Sequence, residues 1–244
     1  NKVYNFNTSI YSNNGNTINF STSQPINEKL LSRFSISKNY TNGYIKNLSD
    51  VSNPKYNTNS KNEFLIRSKF LFLPNNSTNI LITTYYIDLN NNYDMWTPDN
   101  NGYTTYSDFQ GKDIHRNKSL SINANFELNN KLLTYISSYS DNDIYYSYDG
   151  DWGNLTYWDS QYGYNENAQG YFGPYYFTDI TYRKRYTSSH ELRLKYPVNK
   201  NMILMSGLYY SNTKETDNRD GWLFAGEAFN INSIFNIENY AVYS

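Results

Sequence analysis

The chain contains no cysteine. Disulfides, thiolate zinc sites and a cysteine nucleophile are therefore excluded. It also lacks an excess of either charge: 21 basic residues face 22 acidic ones, for a net −1. That balance leaves no electrostatic footprint for nucleic acid and no polybasic face for anionic lipid. No window approaches 18 consecutive apolar residues, so no transmembrane helix is present. The mean hydropathy of −0.80 does not exclude a membrane, because a transmembrane strand shows only alternate residues to lipid and averages out as polar. Neither an initiator Met nor a signal peptide opens the sequence, which reads as a processed piece or a fragment. No Gly-x-Ser-x-Gly, HExxH or phosphate-cradling loop occurs, and an enzyme is not expected.

What is abundant is Tyr and Asn. The 244 residues include 28 Tyr, 13 Phe and 40 Asn, against 12 Gly and 6 Pro. Alternation is the strongest pattern. In SLSINANFEL, Leu120, Ile122, Ala124, Phe126 and Leu128 alternate with Ser121, Asn123, Asn125 and Glu127, which places the two sets on opposite faces of a strand. The same holds for Leu192, Leu194 and Tyr196 against Glu191, Arg193 and Lys195. Phe64, Ile66, Phe70 and Phe72 similarly alternate with Glu63, Arg67 and Lys69, and Tyr4, Phe6 and Ile10 with Asn5, Asn7 and Ser9. No segment shows a period of 3.6, so the chain is predicted to be all-β.

Strands are predicted near 2–12, 17–26, 30–45, 62–73, 78–90, 117–129, 131–148, 181–197, 201–214 and 233–243. The joins PINEK, PNNST, LNNK and PVNKN have tight-turn chemistry. Between them lie long joins at 46–61, 91–116, 149–180 and 215–232, whereas the join at Asn13 to Asn16 is short. Alternation of tight and long joins is the habit of outer-membrane barrels, with short periplasmic turns and long outer loops. Several strands exceed the roughly 9–11 residues that cross hydrocarbon. Their surplus is expected to project above the membrane. Tyr85, Tyr86, Tyr145, Tyr146, Tyr148, Tyr209 and Tyr210 fall toward the outer strand ends, where an interfacial girdle sits.

The ordered series YSDFQGKDI, LLTYISSYS, YSYDGDWGN, SSHELRLKY, SGLYYS and NINSIFNIENYAVYS resembles the barrel of TonB-dependent outer-membrane receptors, over roughly residues 30 to 244. The resemblance implies a barrel of about 22 strands around a separate plug. It implies location in the outer membrane of a Gram-negative bacterium, in contact with outer-membrane lipid. It further implies uptake of a scarce nutrient, such as siderophore-iron, another iron chelate, cobalamin or a sugar, driven by the TonB energy-coupling complex. Residues 1–244 are expected to form about ten strands of that single barrel domain, without plug or closing strand. Ten strands alone would leave two unpaired edges in hydrocarbon. A plugless porin and a soluble carbohydrate-binding β-protein are the alternatives. Low Gly and long aromatic loops argue against the porin.

DGDWGN (149–154) reads as a strand-to-loop junction ahead of a ligand contact or a metal loop. Gly150 and Gly153 are expected to permit its turn, and Trp152 to anchor near the rim. DLNNNYDMWTPD (88–99) resembles a calcium loop, but Tyr93 stands where the central Gly belongs and Asp99 where the final Glu belongs. No metal or cofactor is expected. His115 and His190 stand far apart, and His190 shares a face with Leu192, which suits a membrane-interface position. The candidate ligand-binding residues are aromatic: Tyr157, Trp158, Tyr162, Tyr164, Tyr171, Phe172, Tyr175, Tyr176 and neighbouring Phe177, joined by Trp222 from a second loop, Arg219 to Asn232. Rings give a large contact area with hydroxyls free to bond. They either grip a ligand or pack on one another and the upper wall. Arg67, Lys69, Arg193 and Lys195 are expected to face the lumen.

Overall fold

The computed structural model describes residues 2–49, 57–93, 96–163, 177–223 and 227–244, with the side chains of 222, 223 and 227–229 outside that description. Ten strands form one antiparallel sheet: β1 (Val3–Tyr11), β2 (Gly15–Asn27), β3 (Leu30–Thr41), β6 (Lys61–Asn75), β7 (Thr78–Asn92), β9 (Lys112–Leu128), β10 (Lys131–Asp149), β11 (Thr178–Asn199), β12 (Met202–Leu223) and β13 (Glu227–Tyr243). Each pairs with the next of these in sequence, and β1 and β13 are the two edges. Three short strands, β4 (Ile45–Asn47), β5 (Asn57–Thr58) and β8 (Thr104–Thr105), make a second small sheet from the joins beyond β3 and β7.

Register sorts the two faces of the large sheet. One paired row runs Leu30, Phe72, Ile80, Ala124, Tyr135, Leu192, Leu208, Val242 across eight strands. Three rungs higher, on the opposite face, runs Arg33, Lys69, Thr83, Ser121, Ser138, Ser189, Ser211, Asn239. Arg67, Lys69, Arg193 and Lys195 lie on this polar face, as the alternation predicts. Among the described residues only Ile45 and Ala124 are buried apolar side chains, while Leu208 is 56% exposed and Val242 81%. A soluble sheet must bury its apolar face against a second layer. No such layer covers this sheet in the described residues, which matches a barrel wall rather than a sandwich.

The apolar face is a band. From Leu120 to Leu128 it spans eight residue steps, about 27 Å along the strand, or about 20 Å of height at a barrel tilt of ~40°. Above it the same face turns charged, with Lys118 paired to Asp141 and Arg116 to Asp143. Tyr210 and Tyr240, 4.9 Å between centroids, and Tyr139 stand on this face near that boundary. His190 stacks between Tyr135 and Tyr210, each ring centroid 6.4 Å away. The alternation divides the expected girdle. Tyr86, Tyr145 and Tyr210 take the apolar face, whereas Tyr85, Tyr146, Tyr148 and Tyr209 take the polar one.

Three of the four short turns share a device. Asn27, Asn75 and Asn199 each accept, through Oδ1, the backbone N–H two residues on, at 2.9, 3.0 and 2.9 Å. In each case the register shifts just before the turn, at Pro25, at Pro74 and at Pro197. Proline cannot donate to the ladder, so a bulge forms there. At the opposite end Asn13 and Asn14 both have positive φ, 58° and 54°, as a type I′ hairpin turn requires.

Two expectations are corrected. The join at 215–232 is mostly strand: β12 continues to Leu223 and β13 begins at Glu227, with Arg219 paired to Ile231. Charge rather than apolar alternation supports it. Arg183 binds Glu215 at 3.2 Å and Asp217 at 2.5 Å, and Arg185 binds Glu215. The second correction is a helix, α1 (Leu155–Tyr162). Asn154 caps its start, accepting from the Tyr157 N–H at 2.7 Å, and Gly163 closes it at φ 68°. Its signals are the caps, not an apolar stripe.

Candidate functional site

The long joins gather into a cap. β4 pairs with β5 on one side and β8 on the other. Asn47 donates to the Ser107 carbonyl at 2.8 Å, and Asn154 donates from Nδ2 to the Ser49 hydroxyl at 2.8 Å. The Asn59 N–H reaches the Tyr93 carbonyl at 3.1 Å. The cap interior is therefore polar and hydrogen-bonded: Asn47, Ser49, Thr58, Thr105, Ser107 and Asn154 are all buried. Such a network holds a unique arrangement where an apolar cluster would tolerate several.

Beside the cap lies a cavity of about 660 Å³, lined by Tyr93, Trp96, Tyr146, Tyr148, Trp152, Asp179, Thr181 and Arg219. Tyr146, Tyr148, Asp179, Thr181 and Arg219 come from the polar face at the upper ends of β10, β11 and β12. Tyr93 and Trp96 come from the join after β7 and Trp152 from the join after β10. Tyr93 meets Tyr146 edge-on at 4.7 Å, and Trp96 meets Trp152 at 5.0 Å with planes tilted 44°. The charges in the lining, among the described residues, are paired. Arg219 Nε donates to Asp179 Oδ1 at 3.2 Å and its Nη2 to Oδ2, while the Tyr148 hydroxyl donates to Oδ2 at 3.1 Å.

DGDWGN is indeed a junction, built by carboxylates folding back on the chain. Asp149 accepts from the N–H groups of Asp151 and Trp152 at 3.2 and 3.1 Å. Asp151 accepts from Gly153 at 3.3 Å and Phe177 at 2.8 Å. The positive φ falls on Trp152, at 61°, and on neither glycine as expected. Gly153 is needed for space: a Cβ there would sit 2.8 Å from the Trp158 Nε1.

Asp108, Asp149 and Asp151 each bring a carboxylate oxygen within 4.8 Å of the others. Burial first, and then the Asp151 charge, push the Asp108 carboxyl up to about 7. Burial likewise raises Asp151, opposed by the N–H groups of Phe177 and Gly153. These are the groups that could hold a cation; Asp108 carried no signal in the sequence, because it joins the pair only in space. Among the described residues of 88–99, the terminal aspartates are engaged separately. Asp88 lies in β7 and bonds Arg116 at 3.3 Å, whereas Asp99 accepts from the Asn101 side chain at 2.7 Å.

Of the aromatics singled out in the sequence, Tyr157, Trp158 and Tyr162 belong to α1. Tyr157 stacks on Tyr106 at 4.2 Å, and Trp158 lies 5.1 Å from Tyr157 and 5.5 Å from Tyr162. They pack together beside the cavity and do not line it. Tyr164, Tyr171, Phe172, Tyr175 and Tyr176 lie outside the described residues. Trp222 stands in β12 opposite Ala228, and its side chain lies outside the described residues. Composition could have flagged the cavity rings, but only register shows that Tyr146 and Tyr148 share a face with Arg219.

Solved structures share this architecture. The ferric yersiniabactin uptake receptor FyuA of Yersinia pestis superposes with a TM-score of 0.55 at 10% identity, over 99% of this chain and 43% of its own. The siderophore receptor PiuA of Acinetobacter baumannii gives 0.57 at 12% identity, over 93% and 32%. The outer membrane transporter YddB of Escherichia coli gives 0.51 at 13%, over 95% and 32%. The chain thus spans less than half the length of each. No protein-family model and no curated protein matches it. The fold is part of an antiparallel β-barrel wall of the kind these receptors contain.

Proposed function

We propose that the chain is part of the barrel of a TonB-dependent receptor in the outer membrane of a Gram-negative bacterium, taking up a scarce nutrient without enzymatic chemistry. The observation that carries this reading is the single-layer sheet: apolar on one face within a band of membrane height, hydroxylated on the other, with tight turns at one end and a hydrogen-bonded cap at the other. A wall of this kind is stable where lipid covers the apolar face. Its polar face, rich in serine at mid-height, suits a closely packed plug. The cavity then opens at the outer mouth, where a ligand is first met. The α1 aromatics Tyr157, Trp158 and Tyr162 then form the lip that the ligand passes, and Trp222 and the rings between 164 and 176 are further candidates for ligand contact. Fold alone does not carry over the siderophores named for two of the neighbours.

The reading is tested in cells carrying the intact protein. It expects the protein in the outer-membrane fraction, and ligand accumulation that stops when the proton gradient is dissipated or the energy-coupling complex is deleted. Uptake insensitive to both would make it a porin.

A further inference from the structure

Resting on the receptor reading, we propose that the cavity takes a neutral, polyhydroxylated ligand, a short oligosaccharide, in place of a charged iron chelate. The first argument is charge. Among the described residues, the lining holds one anion and one cation, Asp179 and Arg219, joined to each other by two hydrogen bonds. Tyrosines, tryptophans and one threonine make up the remainder. An anionic chelate entering here would give up its hydration without meeting an uncommitted cation, and an organic cation would meet the Arg219 guanidinium. A neutral ligand avoids both costs.

The second argument is backbone strain. Six non-glycine residues among those described have positive φ: five are asparagines, and the sixth is Trp152. A bulky residue in the left-handed region is strained, because its Cβ crowds the following carbonyl oxygen. Such conformations concentrate at ligand sites, where surrounding structure enforces them. Here the two Asp149 hydrogen bonds lock the turn and hold the Trp152 indole out, 43% exposed. Trp96 is 46% exposed, and the two indoles meet at 5.0 Å with a 44° tilt, so each keeps part of its surface accessible. Two half-exposed indoles beside the hydroxyl-bearing Tyr93, Tyr146, Tyr148 and Thr181 match the pyranose ring, which is apolar on its C–H face and polar at its rim. The volume lies within the roughly 300–1,000 Å³ of small-ligand sites.

The test uses the intact receptor in detergent, titrated by calorimetry with maltohexaose, cellohexaose, xylohexaose and mannohexaose, and separately with ferric tris-catecholate and tris-hydroxamate complexes. The proposal expects saturable binding of at least one saccharide, little changed between low and high salt, and weakened at least tenfold in Trp152→Gly and Trp96→Ala. Trp152→Gly relieves the strained turn, so its loss of binding is not a loss of fold. Binding of a ferric complex alone would overturn the ligand class and leave the receptor reading intact. Binding of no probe would overturn the cavity's assignment, and energised uptake would still decide the receptor reading separately.

Discussion

The indole of Trp152 rests 5.0 Å from that of Trp96, tilted by 44°, although the two come from joins on different strand pairs. The contact exists because the Asp149 carboxylate fixes the turn that carries Trp152. Stability and binding are therefore separable at this residue. Trp152→Gly removes an indole and also removes a left-handed non-glycine residue. Thermal unfolding is expected to shift by no more than about 1 kcal/mol, while ligand binding is lost. A large fall in unfolding temperature would show that the indole instead holds the cap together.

A pH dependence follows from Asp108. Its carboxyl, raised from 3.8 to about 7 by burial and by Asp151, is protonated more readily in the folded cap than in the unfolded chain. The stability it contributes is therefore full below about pH 4 and lost as pH rises through about 7. Asp151, raised chiefly by burial, acts in the same sense. The cap is expected to tighten on acidification, read as larger amide protection factors, each rate taken relative to the intrinsic rate at the same pH, at Lys46 and Leu48, which bond Tyr103 and Thr105. Asp108→Asn is expected to flatten that profile at its acid-side, protected level. An unchanged profile would contradict the assignment.

On the polar face Tyr243 lies across its register partner Gly207, and a Cβ there would meet the tyrosine ring at 2.3 Å. Gly207→Val is expected to destabilise the barrel by about 1–3 kcal/mol through overpacking. In a Tyr243→Ala background the same substitution is expected to cost much less, because the ring is gone. A double-mutant cycle on heat-induced unfolding measures the coupling, and additive effects would contradict the contact.

The Pro-then-Asn turns predict a smaller effect. Asn199→Ala removes the bond to the Asn201 N–H and is expected to cost about 0.5–1.5 kcal/mol. Asn199→Asp keeps the acceptor and is expected to stay within about 0.5 kcal/mol of the parent. Equal losses in both variants would assign the turn to backbone preference alone.

All ten wall strands were legible in order, because one apolar face and one polar face impose a period of two that polar averages cannot hide. The tight turns were legible through Pro25, Pro74 and Pro197 and the asparagines that follow. The upper halves of β12 and β13 were not, since Glu215, Asp217 and Arg219 gain their meaning from partners on β11 that no local pattern reveals. The helix was marked only by Asn154 and Gly163, nine residues apart. The site was half legible. Aromatic density pointed to the joins, but the α1 rings pack beside Tyr106, whereas the cavity is built by Tyr146, Tyr148, Asp179 and Arg219 across three strands.

The central claim is that the face of Leu192 and Leu208 meets lipid and the face of Ser189 and Ser211 does not. The chain has no cysteine of its own, so single cysteines at these four positions, introduced into the intact protein, can each carry a fluorophore in vesicles with brominated acyl chains. The account predicts strong quenching at Leu192→Cys and Leu208→Cys and little at Ser189→Cys and Ser211→Cys. Equal quenching at all four, or none at any, would contradict it.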